Sequence, residues 1–146
     1  MAGDEVAGLA LLSIRPRFAE LIISGEKKVE FRKTNFRQDL SHVVLYASRP
    51  VQRILAYFEV SGMCAETPER LWERYHAVAG IERTEFDAYY RSAACGVAIE
   101  VGDVWVLSDP LPLSALDVSL SPPQGFAYLD AEALATIRSA AGQQVP

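Results

Sequence analysis

Cysteine and histidine are scarce in this chain of 146 residues, which contains two of each. Cys64 and Cys95 lack the spacing of a disulfide framework or a metal-binding pair, and His42 and His76 form no metal-ligand pattern. We therefore expect no metal site and no cofactor. Because disulfides belong to oxidising compartments, this cysteine usage also favours a reducing cytoplasm.

Long hydrophobic runs are absent as well. The longest, such as 9–12 and 43–45, are much shorter than the roughly 20 residues of a membrane-spanning helix. We expect no membrane segment and no membrane partner. The composition, 50% hydrophobic and 23% charged, excludes a disordered chain. At this length we expect a single domain over residues 1–146.

Positive charge is in deficit overall, since the net charge is −5. Its distribution is uneven: residues 13–53 carry nine Lys or Arg and four acidic side chains, whereas the rest of the chain has a net charge of −10. A basic segment on an acidic body can attract an anion locally. The acidic remainder disfavours extended duplex nucleic acid, which needs many phosphate contacts. An uneven but merely solvated surface is the alternative.

The first part of the chain combines one short helix with several strands. Pro16 suits the first turn of a helix and Gly25 suits its C-terminal cap, which predicts a helix over 17–24. Apolar or alternating segments predict strands at Leu9–Ile14, Glu30–Phe36, His42–Ser48 and Val51–Val60.

The last of these strands alternates cleanly and should place Ile54, Ala56 and Phe58 on one face. Successive strands after one helix favour an α+β fold built on a small mixed or antiparallel β-barrel with flanking helices.

A helical insertion interrupts the strands from Thr67 to about Ala94. Thr67 is a good helix cap before Pro68, and aromatic residues follow at helical spacing, where they would pack the inserted helices. These are Trp72, Tyr75, Tyr89 and Tyr90.

Strand character returns after the insertion at Val97–Leu107, and a proline-rich loop follows at 121–126. Asp130 should cap a short helix that runs to Ile137. Residues 142–146 are expected to be a tail.

The segment from Gly25 to Arg32 concentrates charge beside the first helix. If it is extended from Val29 onward, Val29 and Phe31 point to one face and Glu30 and Arg32 to the other. The charged face, together with Lys27 from the preceding turn, predicts a site for an anionic or polar ligand.

The same segment resembles the Gly-x-Lys-x-x-Glu-x-Arg signature of ASCH domains, a branch of the PUA-like superfamily. The signature positions here are Gly25, Lys27, Glu30 and Arg32. The order of strands and helix around them is also similar, as is the late loop that contains Gln124, so the resemblance covers about residues 11–129.

This resemblance implies a small PUA-like β-barrel with a cleft that recognises RNA, single-stranded nucleic acid, a modified base or another nucleotide-like ligand. Some ASCH proteins are ribonucleases, and a small bacterial group hydrolyses the amide of N4-acetylcytidine. That group has a threonine nucleophile where this chain has Glu30, and a carboxylate cannot supply the same hydroxyl.

Three signature residues carry the candidate chemistry. Lys27 would hold a phosphate, polarise a carbonyl or, with a lowered pKa, act as a base; an exposed lysine is the alternative. Glu30 would accept hydrogen bonds from a base edge or act as a general base, unless it only forms an ion pair on an exposed strand face. Arg32 offers a planar fork for phosphate or merely orients Glu30.

Further candidate ligand residues come from elsewhere in the chain. Arg15 stands just before a predicted helix N-terminus, which suits an anion. Tyr46 and Arg49 lie at the end of the predicted strand His42–Ser48, where an aromatic and a basic residue suit base stacking with phosphate contact. Core packing is the favoured alternative for Tyr46, because its strand is so apolar. Gln124 and Phe126 of the late loop would gate the cleft, with ordinary packing an equal alternative for Phe126. These candidates are Ser13, Arg15, Tyr46, Ser48, Arg49, Gln124 and Phe126.

The resemblance, the candidate site residues and the helical insertion together leave three functions open. The first is recognition of RNA, single-stranded nucleic acid or a nucleotide in the cleft. The second is a hydrolase, either a ribonuclease or a modified-nucleoside amidohydrolase, with Lys27 and Glu30 as catalytic residues. The third is a regulatory module whose helical insertion docks a protein partner.

Overall fold

The computed structural model describes residues 8–33, 36–37, 39–117 and 121–145. The α-helices and strands in these ranges are, in chain order, β1 (Leu9–Ile14), α1 (Pro16–Ser24), β2 (Val29–Arg32), β3 (His42–Ala47), β4 (Arg53–Glu66), α2 (Pro68–Tyr75), α3 (Arg83–Tyr89), β5 (Gly96–Leu111), β6 (Phe126–Tyr128), α4 (Ala131–Ala140) and β7 (Ala141–Val145). Two short 3₁₀ helices in the same ranges lie at His76–Val78 and Leu113–Ala115.

The seven described strands form one sheet in the order β2-β5-β4-β3-β1-β6, and β7 also pairs with β5. Only β1 and β3 run parallel; the other described pairs are antiparallel. The sheet curls into a half-barrel, which confirms the expected α+β fold, and of the two expected alternatives, mixed or antiparallel, the sheet is mixed.

Three apolar clusters surround this sheet. The alternation of β1 sends Ala10, Leu12 and Ile14 into the cluster under α1, and it sends Leu9 and Leu11 into the cluster under α4. The third cluster lies between β2, β5 and the helical insertion. Its buried members are Val29, Phe31, Leu71, Tyr75, Ala79, Phe86, Tyr90 and Ala98.

The helix caps predicted from the sequence are present in the structure. Gly25 ends α1 in a left-handed conformation with φ 88°, and its N–H donates to the carbonyl oxygen of Ile22. The side chain of Thr67 accepts from the N–H of Arg70 at the start of α2, and Asp130 accepts from Ala133 at the start of α4.

One strand contradicts the simple alternation. Leu45 pairs with Ala56 and Tyr46 pairs with Ile54, so Leu55 is an extra residue in β4. Because a one-residue shift reverses the face of a side chain, Ile54 packs in the α4 cluster and not beside Ala56 in the α1 cluster.

Several expected boundaries also differ. β2 ends at Arg32 and not at Phe36, while β4 and β5 extend to Glu66 and Leu111 because each supplies the other with a long antiparallel partner. Part of the expected late loop forms β6 on the edge of β1. Residues 142–145 of the expected tail belong to β7, which pairs with β5 from Val104 to Leu107, and residue 146 lies outside the described residues.

Candidate functional site

A pocket of about 420 Å³ lies where the end of β1, the start of α1, β2 and the helical insertion meet. Three charged residues of the signature segment line it together with aromatic side chains from α1, β2 and α3. The lining residues are Ser13, Ile14, Arg15, Phe18, Lys27, Glu30, Phe31, Arg32, Ile81, Glu85, Phe86, Ala88 and Tyr89.

Lys27 is placed at this pocket by the cap of α1. After the left-handed Gly25, the chain turns back and the N–H of Lys27 donates to the carbonyl oxygen of Leu21 at 3.0 Å. Only 2% of Lys27 is exposed, which is rare for a lysine. The alternative of an exposed lysine is therefore wrong.

The ammonium group of Lys27 has polar and aromatic neighbours. Its Nζ donates to the carbonyl oxygen of Ala79 at 2.6 Å and lies 3.6 Å from Oε1 of Glu30. The rings of Phe18 and Phe31 lie 5.1 and 5.6 Å from Nζ. Burial lowers the pKa of Lys27, and the carboxylate of Glu30 partly opposes that decrease.

Glu30 joins two cations within the pocket wall. It is 7% exposed, and its Oε2 lies 3.1 Å from Nη2 of Arg32 while its Oε1 faces Lys27. The expected alternation holds, since Val29 and Phe31 enter the insertion cluster. The face of β2 with Glu30 is nevertheless covered, so the alternative of an exposed ion pair is wrong.

Arg32 connects the two ends of the curled sheet. It belongs to β2 at one edge, and its Nη2 donates to the carbonyl oxygen of Ser13, at the end of β1, at 2.8 Å. A longer contact of 3.5 Å joins Nη1 to the carbonyl oxygen of Gly125, just before β6. Arg32 therefore orients Glu30 and also links the two sheet edges beside the pocket.

Ser13 and Arg15 reach the pocket from its other side. The Oγ of Ser13 donates to the carbonyl oxygen of Pro123 at 2.8 Å, which engages this hydroxyl with the late loop. The Arg15 side chain is 73% exposed and stands at the N-terminus of α1, as expected. Five of the ten predicted site residues thus meet in one pocket: Ser13, Arg15, Lys27, Glu30 and Arg32.

The other five predicted residues lie outside this pocket. Tyr46 is buried in the α4 cluster, and Phe126 packs against Phe36 with ring centroids 4.5 Å apart. Ser48 is half-buried in the turn after β3, while Arg49 and Gln124 are exposed.

The insertion supplies pocket residues that the sequence did not indicate. Glu85, Phe86 and Tyr89 of α3 line the side opposite α1, and Phe18 lines it from α1 itself. Helical spacing predicted packing for Tyr89. Tyr89 is instead 36% exposed at the pocket, and its hydroxyl accepts from the N–H of Lys33 at 3.2 Å. No local pattern reports that α3 folds against β2.

Two further observations concern the described parts of the chain. Within them, no three His, Cys, Asp or Glu side chains come close enough together to hold a metal ion. None of the described helices has the length and apolar character required to cross a membrane.

The fold and the pocket define an α+β half-barrel domain whose charged signature lies in a partly enclosed site. The sequence profile of the ASCH domain matches residues 12–106 of this chain. The chain therefore belongs to the ASCH domain family.

Individual relatives agree with this assignment. An ASCH domain-containing ribonuclease of Zymomonas mobilis is 26% identical over 132 residues, covering 84% of this chain and 85% of the relative. The crystal structure of ASCH from Zymomonas mobilis superimposes with a TM-score of 0.84 at 27% identity, covering 92% and 96% of the two chains. The N-terminal domain of Staphylothermus marinus McrB, at 10% identity and a TM-score of 0.59, shares the fold over 90% of this chain and 93% of its own.

Proposed function

We propose that this protein binds single-stranded RNA and takes one nucleotide into the pocket between α1, β2 and α3. Cytoplasmic location is part of the same proposal, because its ligand would be cellular RNA. The family assignment supports a function related to RNA.

The observation that carries this proposal is the convergence of buried cations and aromatic rings in one pocket. A volume of about 420 Å³ lies within the range of small-ligand sites and suits one nucleotide rather than a duplex. Phe18 and Tyr89 offer ring surfaces for a base, as single-stranded RNA recognition requires. Lys27 and Arg32 would face the phosphate or the polar edge of the base, and Glu30 would accept from exocyclic amines.

A binding assay with a fluorescein-labelled RNA decamer tests this function. We expect binding at low salt that weakens as salt rises, with a shallow slope because few phosphates are contacted. Lys27→Met should weaken binding about tenfold or more, since a charge-assisted contact is lost. Lys28→Met is the matched control, because Lys28 is the adjacent lysine but is exposed. Absence of binding, or equal loss in both variants, would contradict the proposal.

A second candidate function is RNA cleavage in the same pocket. The Lys27–Glu30 pair favours it, because a carboxylate lies 3.6 Å from an ammonium whose pKa burial lowers. The similarity to a protein named as a ribonuclease supports it as well.

Glu30 and Lys27 alone would supply both proton transfers that this cleavage requires. Glu30 takes the proton of a ribose 2′-hydroxyl, and the 2′-oxygen attacks the adjacent phosphorus. The bond from phosphorus to the 5′-oxygen then breaks, and Lys27 gives that oxygen a proton, which a lowered pKa makes easier. The products are a 2′,3′-cyclic phosphate and a free 5′-hydroxyl.

One experiment distinguishes RNA cleavage from RNA binding. A decamer with a single ribonucleotide among deoxynucleotides should be cut only at that position, and the all-deoxy strand should not be cut. Glu30→Gln should abolish cleavage while the bound fraction persists. If the all-deoxy strand is cut, or if Glu30→Gln cleaves at the normal rate, this mechanism is wrong.

The predicted protein partner at the insertion is a less favoured proposal. The apolar side chains of α2 and α3 pack against β2 and β5. The insertion therefore already has a role in building the pocket wall.

A further inference from the structure

Two arginines and one glutamate face one another across the pocket mouth. Oε2 of Glu85, on α3, lies 2.6 Å from Nη2 of Arg17 and 3.9 Å from Nη1 of Arg15. Arg15 and Glu85 both line the pocket. Arg17 does not itself line the pocket, but its guanidinium stands 4.5 Å from the ring of Phe18, which does.

These ion pairs contribute little to folding. The Arg15 and Arg17 side chains are 73% and 57% exposed, and that of Glu85 is 35% exposed. Exposed ion pairs are individually weak, because water screens them and long side chains lose entropy. Glu85 can therefore leave the arginines at small cost when a better anion arrives.

We infer that Arg15 and Arg17 form a phosphate subsite at the pocket mouth, and that Glu85 occupies this subsite until RNA displaces it. A carboxylate and a phosphate present similar oxygen pairs to a guanidinium, so the same two arginines accept either group. This inference rests on the proposed function and adds a place for the phosphate that flanks the bound nucleotide.

The arrangement also acts as a selectivity device. An isolated small anion must compete with a carboxylate that is already tethered to the protein and has a high effective concentration. An RNA strand whose base fills the pocket brings its flanking phosphate with a similar advantage. Glu85 thus favours strands that use both parts of the site.

Removal of the carboxylate tests the inference directly. The probe is a fluorescein-labelled decamer of 2′-O-methyl cytidine, which offers an exocyclic amine to Glu30 and cannot be cleaved through its 2′-oxygen. Glu85→Gln should bind this probe about two- to fivefold more tightly, since displacement no longer breaks an ion pair. Glu73→Gln is the matched control, because Glu73 is an exposed acid on the same insertion and lies outside the pocket lining.

A double-variant cycle separates a local effect from a general change in charge. In an Arg17→Ala background most of the gain from Glu85→Gln should disappear, because the displaced partner is gone. Thermal unfolding checks that each variant folds. If Glu85→Gln does not fold, Glu85→Ala replaces it in the same cycle.

Each outcome of this experiment decides the inference. Unchanged or weaker binding in Glu85→Gln, a gain equal to that of Glu73→Gln, or a gain that persists fully without Arg17 overturns it. If the parent protein nevertheless binds the probe in any of those cases, and Lys27→Met weakens that binding, the proposed function is retained without the phosphate subsite. Binding by Glu85→Gln but not by the parent protein would show a phosphate subsite that RNA does not open, which overturns the displacement of Glu85, whereas absence of binding in both overturns the inference and the proposed function together.

Discussion

Gly80 packs directly against the side chain of the buried Lys27. A β-carbon on Gly80 would lie 2.7 Å from Cβ and 2.9 Å from Cγ of Lys27, closer than such atoms approach. The preceding carbonyl, that of Ala79, accepts the hydrogen bond from Nζ of Lys27 at 2.6 Å. The loop between α2 and α3 thus holds both the stem and the head of the candidate lysine.

Gly80→Ala should therefore displace Lys27 as well as strain the backbone. We expect a loss of about 1 kcal/mol from the φ of +62° alone, with a further loss from the overlap, and weaker binding of labelled RNA. Gly25→Ala is the matched control: it should lose stability through backbone strain alone, because Gly25 has φ +88° with open space around it. Thermal unfolding measures the stability of both variants. An equal loss of stability in Gly80→Ala and Gly25→Ala would contradict the packing of Gly80 against Lys27.

The pKa of Lys27 should respond to Glu30 in a defined direction. Burial favours the neutral amine and the carboxylate favours the ammonium, so Lys27 should titrate below the ordinary value of 10.5 and lower still in Glu30→Gln. The chain has only three lysines, so ¹³Cε NMR of labelled lysine resolves them. A pKa for Lys27 at or above 10.5, or one raised by Glu30→Gln, would show that this electrostatic assignment is wrong.

The binding of an anion should follow the same titration. Attraction to phosphate is lost as pH rises through the pKa of Lys27, because the ammonium loses its charge. In Glu30→Gln this loss should begin at a lower pH. Binding of a 2′-O-methyl decamer, measured as a function of pH, checks the shift without interference from RNA hydrolysis.

Arg32→Ala should weaken the fold as well as the site. It removes the donor to Ser13 and leaves the buried carboxylate of Glu30 without its closest cation. We expect the free energy of unfolding to fall by about 2–4 kcal/mol in urea titrations. Ser13→Ala, which removes only the hydroxyl bond to Pro123, should cost about 1 kcal/mol. If the two variants lose the same stability, Arg32 does not link the sheet edges in the way described.

Tyr89→Ala should weaken RNA binding through loss of a stacking surface. Stacking of a base on an aromatic ring contributes about 1–3 kcal/mol, which corresponds to a Kd higher by about fivefold to a hundredfold. Tyr89→Phe keeps the ring and removes only the hydroxyl that accepts from Lys33, so it should bind nearly as the parent protein does. Fluorescence anisotropy with the labelled decamer distinguishes these cases, and equal weakening by both variants would assign the effect to the hydroxyl.

Local signals in the sequence were sufficient for much of the framework. Pro16 and Gly25 bound α1 because their backbone requirements are local, and Thr67 and Asp130 cap helices for the same reason. The alternation of β2 correctly separated Val29 and Phe31 from Glu30.

Predictions from the sequence were wrong where contacts between distant chain segments determine the structure. The extra residue at Leu55 becomes visible only through the register with β3, and the expected tail becomes β7 only because the edge of β5 accepts it. The burial of Lys27 likewise depends on Ala79, 52 positions away in the chain.

By itself the sequence determined the fold class, the boundaries of the first helix and the charged signature, because each rests on periodicity or on the preferences of neighbouring residues. The tertiary structure alone decided that α3 closes the pocket and that Glu85 meets Arg17 across the mouth. The physical reason is that burial and ion pairing depend on which surfaces meet in space, and residues 68 positions apart share no local pattern that records such a contact.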